Sequence, residues 1–246
     1  MTPAPHPTLR QYYASDEERQ GFVNSLFDRT ARHYDRINAG MSLGFGVAYR
    51  RQALARAGLR RGMRVLDVAT GTGLVARAAT AIVRDVHAVI GLDPSAGMLT
   101  EARRNIGLTV VQGIAEQLPF PSGRFDFVTM GYALRHVAAL EPAFAEYFRV
   151  LRPGGRLLIL EITKPRSRAM FTATRWYLKY VVPRFARLST GSADAETLMR
   201  YYWETIVGCV PWETIVAALV SVGFVGTSHA TAMGIFSEYR AERPAD

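Results

Sequence analysis

Val65-Leu-Asp-Val-Ala-Thr-Gly-Thr-Gly73, followed downstream by Val89-Ile-Gly-Leu-Asp93, are the two stretches whose reading decides the fold. Each is a short apolar run of the kind that forms a fully buried strand. The first feeds a glycine turn and then a helical segment; the second ends on a carboxylate that can hydrogen-bond a ribose. Together they predict a nucleoside-cofactor site at the carboxyl end of a parallel sheet.

The loop Gly71-Thr-Gly73-Leu-Val-Ala76 also satisfies G-x-G-x-x-G/A, so a nicotinamide or flavin enzyme is the first alternative. Asp67 separates the two readings. An ionised carboxylate at the strand end repels a diphosphate and attracts the cationic amino group of S-adenosylmethionine. Gly71 and Gly73 lack the Cβ that would keep a ligand from the backbone. Asp67 can instead cap the helix that follows Thr72, and Asp93 can simply precede a helix capped by Ser95.

Outward from this site, strands are expected near Arg64 to Val68, Ala88 to Leu92, Thr109 to Gln112, Phe125 to Met130 and Arg156 to Glu161, with helices between them. Pro153-Gly154-Gly155 reads as a turn before the fifth strand. Pro211 to Val222 reads as a helix, and Gly223 to His229 and Met233 to Tyr239 as two closing strands. The organisation expected is one domain over 1–246: an N-terminal helical cover (1–58), a cofactor-binding core (59–165), a helical insert (166–210) and a C-terminal helix with a strand pair (211–246). Only the first ten or so residues read as disordered.

At 246 residues and 49% apolar content the chain can bury a sizeable core. The N-terminus has no apolar leader, and no run approaches the roughly 20 residues of a membrane span, so a cytoplasmic protein is expected. A single cysteine, Cys209, forms neither an internal disulfide nor a zinc site, and no metal is expected. The net charge of +9 is unevenly spread. Nine arginines face one acid, Asp35, between Arg29 and Arg64; seven Lys or Arg and no acid lie between Lys164 and Arg187. The second segment interleaves Phe171, Trp176, Tyr177, Tyr180 and Phe185, which suits peripheral contact with an anionic membrane; a solvated basic face is the other reading. No RNA-binding module accompanies the charge, and no nucleic-acid partner is expected.

Phe27-Asp-Arg-Thr-Ala-Arg-His-Tyr-Asp-Arg-Ile-Asn38, Met41-Ser-Leu-Gly44, Gly91-Leu-Asp-Pro-Ser-Ala-Gly-Met-Leu99, Ala115-Glu-Gln-Leu-Pro-Phe-Pro121, Ala133-Leu-Arg135 and Leu151 to Glu161 carry a resemblance. From about Phe22 to Ile235 the chain resembles the UbiE/COQ5/MenG group of class I methyltransferases, which C-methylate quinone-precursor rings. The resemblance implies an α/β, Rossmann-like, seven-stranded, mostly parallel sheet with helices on both faces, and S-adenosyl-L-methionine as methyl donor. It implies donor contacts at Thr72, Asp93, Ile114, Ala115 and Gly131, with Met98 against the adenine or in the core. Ile114 stands where relatives usually carry Asn, and Gly131 where they often carry Ser.

A ring carbon attacks well only once a neighbouring phenol has lost its proton, so a base or an anion-stabilising group is required. Arg135 is read as stabilising the phenolate, either directly or through water, and His136, where the group usually has Asn, as taking the proton. Tyr34 covers the substrate or the donor, and Asp35 orients Arg135. The plainer readings are an acid partner for Arg135, a helix-capping role for His136 over Val137 to Leu151, and a local cap by Tyr34 and Asp35 for a helix from Phe22 to His33. Glu161, alone in an apolar strand, requires a partner such as Lys164 or Arg135. Relatives carry Ser-Tyr-x-Tyr-Leu-x-Glu-Ser-Ile where this chain reads Leu198-Met-Arg-Tyr-Tyr-Trp-Glu-Thr-Ile206, and a terminal His is missing. The acceptor expected is a small hydrophobic aromatic, a quinol or phenol ring; another natural product or lipid, or a non-catalytic scaffold, is the alternative. A homodimer is left open.

Overall fold

The computed structural model describes residues 4–42 and 45–245. The side chains of the Met41-Ser-Leu-Gly44 block lie outside the described residues. Among the described residues the strands are β1 (Val65–Val68), β2 (Val89–Asp93), β3 (Thr109–Gln112), β4 (Phe125–Gly131), β5 (Leu151–Ile162), β6 (Val225–Ala232) and β7 (Phe236–Glu242). The helices are α1 (Asp16–Ser42), α2 (Gly46–Arg56), α3 (Leu74–Val83), α4 (Ala96–Ile106), α5 (Leu140–Val150), α6 (Arg168–Trp176), α7 (Val182–Thr190), α8 (Ala193–Gly208) and α9 (Trp212–Val222).

One seven-stranded sheet has the order β3-β2-β1-β4-β5-β7-β6. The first five are parallel; β7 runs antiparallel between β5 and β6. All four residues of β1 are buried, as a central strand covered on both faces requires. Helices α5 and α9 pack on one face around Phe144, Tyr147 and Leu219, and α2 and α3 on the other around Leu54, Ala76 and Ala79. This is the class I methyltransferase architecture.

Strand order reverses between β1 and β4, and an open parallel sheet leaves a crevice there beyond its carboxyl ends. A third apolar cluster roofs that crevice: Val23, Leu26 and Ile37 of α1 meet Ala186 of α7 and Leu198 and Tyr201 of α8. Each such aliphatic side chain contributes about 1.5–3 kcal/mol on burial. Asp28 ties this roof to the sheet layer by accepting from Ser95 Oγ (2.6 Å) and Gly97 N (2.8 Å) at the start of α4.

The structure corrects several boundaries. The segment α1 runs unbroken through Tyr34 and Asp35, so they cap nothing. Strand β5 begins at Leu151, with Pro153-Gly154-Gly155 inside it as a bulge where its register with β4 shifts; Gly154 takes φ +71°. Leu134–His136 form a single 3-10 turn, and α5 starts only at Leu140, which removes His136 as its cap. Pro5 and His6, inside the stretch expected to be disordered, are tied down: Val210 N donates to the Pro5 carbonyl at 2.8 Å, and His6 is buried.

Candidate active site

Two cavities lie above the carboxyl ends of β1, β2 and β4. The first is a cleft reaching from Gly71 and Asp93 past Ile114 and Ala115 to Gly131 and His136. The second is an apolar cavity of about 460 Å³ between α2, the α6–α7 segment and β7. Tyr34, Tyr132 and Tyr202 line both. They form the wall between them, closed by a 2.7 Å hydrogen bond between the Tyr34 and Tyr202 hydroxyls.

Of the residues expected to hold the donor, Gly71, Asp93, Met98, Ile114, Ala115 and Gly131 line the cleft. A Cβ on Gly71 would meet nothing within 4 Å, so the backbone stands open to a ligand there. Asp93 accepts from Gly71 N (2.8 Å) and Ser95 N (2.9 Å), which fixes the carboxylate at the cleft edge. Burial pushes it up to about 6. Ser95 also caps α4, accepting from Met98 N at 3.1 Å, so capping and cofactor readings both apply to neighbouring residues. Ile114, 39% exposed, presents an apolar surface to the cleft with Leu92 and Met98 beside it. At Gly131 a Cβ would come within 2.5 Å of Val75 Cγ2, so Val75 occupies the room a serine would need.

Three residues expected at the donor sit beneath it instead. Asp67 is fully buried, and its Oδ2 accepts from Thr70 Oγ1 (2.6 Å) and Ala76 N (3.1 Å): it staples the loop and caps α3. Burial pushes Asp67 up to about 7 despite those bonds. Thr72 donates its hydroxyl to Asp35. Gly73 takes φ +85°, and a Cβ there would overlap Ile106, so its role is turn and packing. The acids that line the cleft are Asp93 and Glu116 and not Asp67, and among the described lining residues there is no lysine or arginine to meet a diphosphate.

This chemistry fits S-adenosylmethionine. A carboxylate is placed for ribose hydroxyls, an apolar slot for adenine, an open glycine for the amino-acid part, and an acidic lining for a cation. No described group of three or more His, Cys, Asp or Glu is placed to hold a metal.

The residues expected to act on the acceptor divide sharply. Arg135 is 0% exposed and touches neither cavity. It is ion-paired to Glu161, donates from Nε to Thr205 Oγ1 at 3.1 Å and sits 4.3 Å from the centre of the Tyr202 ring. The expected direct contact with a phenolate is therefore not made. Asp35 bonds Thr72 and faces Arg77 at 3.7 Å, so it does not orient Arg135. His136 does line the cleft, stacked on Tyr201 (5.6 Å, 18°) with both ring nitrogens buried and unpartnered. Burial and then the charge of Arg135 hold it well below 6.5, which makes it a neutral hydrogen-bonding group and a weak base. Tyr34 lines both cavities.

Sequence reasoning missed Tyr132, Tyr202 and Arg50. Tyr202 lay in a segment already marked as a departure in aromatic content. Tyr132 and Ala69 adopt φ +62° and +52°, left-handed conformations that cost a non-glycine residue about 1–3 kcal/mol and that cluster at functional sites. No sequence pattern announces them.

The family model for the ubiE/COQ5 methyltransferase family matches residues 13–241. A ubiquinone/menaquinone biosynthesis C-methyltransferase from Erwinia tasmaniensis is 35% identical over 225 residues, covering 89% of this chain and 88% of its own. A demethylmenaquinone methyltransferase from Symbiobacterium thermophilum is 40% identical over 176 residues, 69% of this chain and 70% of its own. A SAM-dependent methyltransferase structure from Thermotoga maritima superposes with a TM-score of 0.62 at 21% identity, covering 89% and 98% of the two chains, and shares the fold. With the match running from α1's approach to the last strand, and relatives aligned over nearly their whole length, the chain belongs to the ubiE/COQ5 methyltransferase family and is an S-adenosylmethionine-dependent methyltransferase.

Proposed function

We propose that this enzyme transfers the methyl group to a ring carbon of an electron-rich quinol or phenol, such as a demethylmenaquinol or a polyprenyl benzoquinol, releasing S-adenosylhomocysteine. The observation that carries the reading is the abutment of an acidic cleft and a large apolar cavity at one tyrosine wall. The names of the Erwinia and Symbiobacterium relatives point to the same acceptor class. A cavity of about 460 Å³ is of the size that takes a bicyclic ring with the first part of an isoprenoid tail.

The donor supplies an electrophilic methyl with its own leaving group, so the protein's task is alignment in a dry pocket. Gly71 and Asp93 fix one end of the cleft, and Tyr34 and Tyr202 stand where ring and methyl approach. Burial keeps both phenols protonated, so each can donate to an acceptor oxygen once their mutual bond opens. Arg135 acts through Tyr202, whose ring it faces, as a positioning residue.

Phe45 and Met233 of the cavity lining are exposed, and the insert carries exposed Trp176, Tyr180 and Leu188 in a segment with Arg175, Lys179, Arg184 and Arg187. A lipid-soluble acceptor reaches such a mouth from a membrane surface, and peripheral docking through the insert is part of the reading. No single described helix is long and apolar enough to cross a membrane.

Incubation with labelled methyl donor and lipid extract, with mass spectrometry of a deletion strain's lipids, tests the acceptor. The expected result is label in a lipid quinone and accumulation of a species lighter by one methylene. Label confined to a water-soluble product would replace the quinone reading.

A further inference from the structure

Three arginines among the described residues are more than nine-tenths buried, and they differ in what compensates their charge. Arg135 has Glu161. Arg19 donates to the carbonyls of Val137 and Ala138 and lines neither cavity. Arg50, 5% exposed, lines the apolar cavity, and no described carboxylate lies within ion-pairing distance of it. Its one hydrogen bond among the described residues runs from Nη2 to Asn38 Oδ1 at 2.9 Å, its Nε is buried with no described partner, and its Cζ lies 5.3 Å from the centre of the Tyr132 ring. A guanidinium taken out of water with no ion pair, the buried Asp67 carboxylate acting on it only from beyond ion-pairing distance, is costly, and a fold tolerates it where a ligand supplies the anion. The surrounding wall is otherwise apolar or aromatic: Phe45, Ile162, Leu178, Ile235 and Phe236.

We propose that Arg50 is an anion anchor in the acceptor cavity, and that the enzyme binds its aromatic acceptor as an oxyanion, a phenolate or enolate, with Asn38 orienting the guanidinium. The proposal rests on the aromatic-acceptor reading above and deepens it. Tyr132 belongs to the wall shared with the cleft, so an oxyanion on Arg50 lies against the wall through which the methyl must pass. Drawing the acceptor from its ionised fraction raises electron density at the adjacent ring carbon and leaves no hydroxyl proton for a protein base to remove before transfer; the hydrogen on that ring carbon departs afterwards as a proton to water, when the methylated ring regains its aromaticity. That agrees with a site whose histidine is held neutral and beneath which Arg135 is already paired.

The test is equilibrium binding of two probes to the full chain saturated with S-adenosylhomocysteine: a hydroxynaphthoquinone, ionised at neutral pH, and the unsubstituted naphthoquinone, which cannot ionise. The wild type is expected to favour the ionised probe by about 10- to 100-fold, the loss expected when a charge-assisted hydrogen bond is removed from a buried site. Arg50→Met abolishes the preference while Arg50→Lys keeps part of it, and Arg50→Met melts no lower than the wild type without ligand, because an uncompensated charge has been removed. Equal affinity of the wild type for both probes would overturn the anchor. So would an Arg50→Met that loses both probes alike and melts lower, the signature of a structural arginine. Binding of neither probe, with S-adenosylhomocysteine still bound, would overturn the aromatic-acceptor reading together with the anchor.

Discussion

Arg135 and His136 are neighbours in sequence and opposites in role. Burial of Arg135 against Glu161, Thr205 and the Tyr202 ring makes it a strut beneath the tyrosine wall. Glu161→Gln leaves that guanidinium unpaired in the interior and should cost about 3–5 kcal/mol in urea denaturation, whereas replacing both partners by apolar residues should recover much of it. An unchanged midpoint in the single variant would remove the strut. His136 faces the cleft with its basicity suppressed, so its ring should stay neutral well below 6.5 by nuclear magnetic resonance of labelled histidine. A titration at 6.5 would restore it as a general base.

At the scale of elements, the glycine loop and the insert were read differently well. The loop's chemistry is local: Gly71 opens the backbone to a ligand, and Gly73 turns the chain into α3. Its acid, however, turned inward, because the first turn of α3 offers Asp67 an unpaired amide at Ala76 and the cleft does not. In the insert, α6 and the π-helical turn Tyr177–Val181 bury no side chain, and α7 ends with Leu188 86% exposed; Trp176 is 63% exposed. Such an element should sediment with liposomes more as anionic lipid increases and less as salt rises, each basic residue near the surface contributing about 1 kcal/mol. Trp176→Ala and Leu188→Ala should weaken it at constant charge. Sedimentation indifferent to lipid charge and to both substitutions would leave the insert a solvated cover.

For the molecule as a whole, two acids buried side by side under one loop tie stability to pH. Asp67 and Asp93 rise from 3.8 to about 7 and about 6 on folding, so the native state binds protons more tightly than the unfolded chain. The unliganded protein is then most stable below 3.8 as far as these two groups go, and their contribution is lost as pH rises through about 6 and 7. Melting temperature should fall across that window, and Asp67→Asn, which keeps an acceptor for Thr70 and Ala76, should flatten the fall. A wild-type profile that rises through the window would contradict the burial of these acids.

What the sequence by itself determined was whatever a few consecutive residues encode: the sheet and its alternation with helices, the glycine loop, the acid ending the second strand and the basic insert. Alternating apolar runs, turn residues and spacing act over short distances, and they survive without knowledge of partners. The tertiary structure decided which side chains share a space. Tyr34, Tyr132 and Tyr202 come from α1, the end of β4 and α8, and only packing brings two hydroxyls 168 positions apart to 2.7 Å. Arg50 and Arg135 look alike in sequence; one has an acid beneath it and the other an open apolar cavity, because charge compensation depends on neighbours in space, which local patterns do not contain.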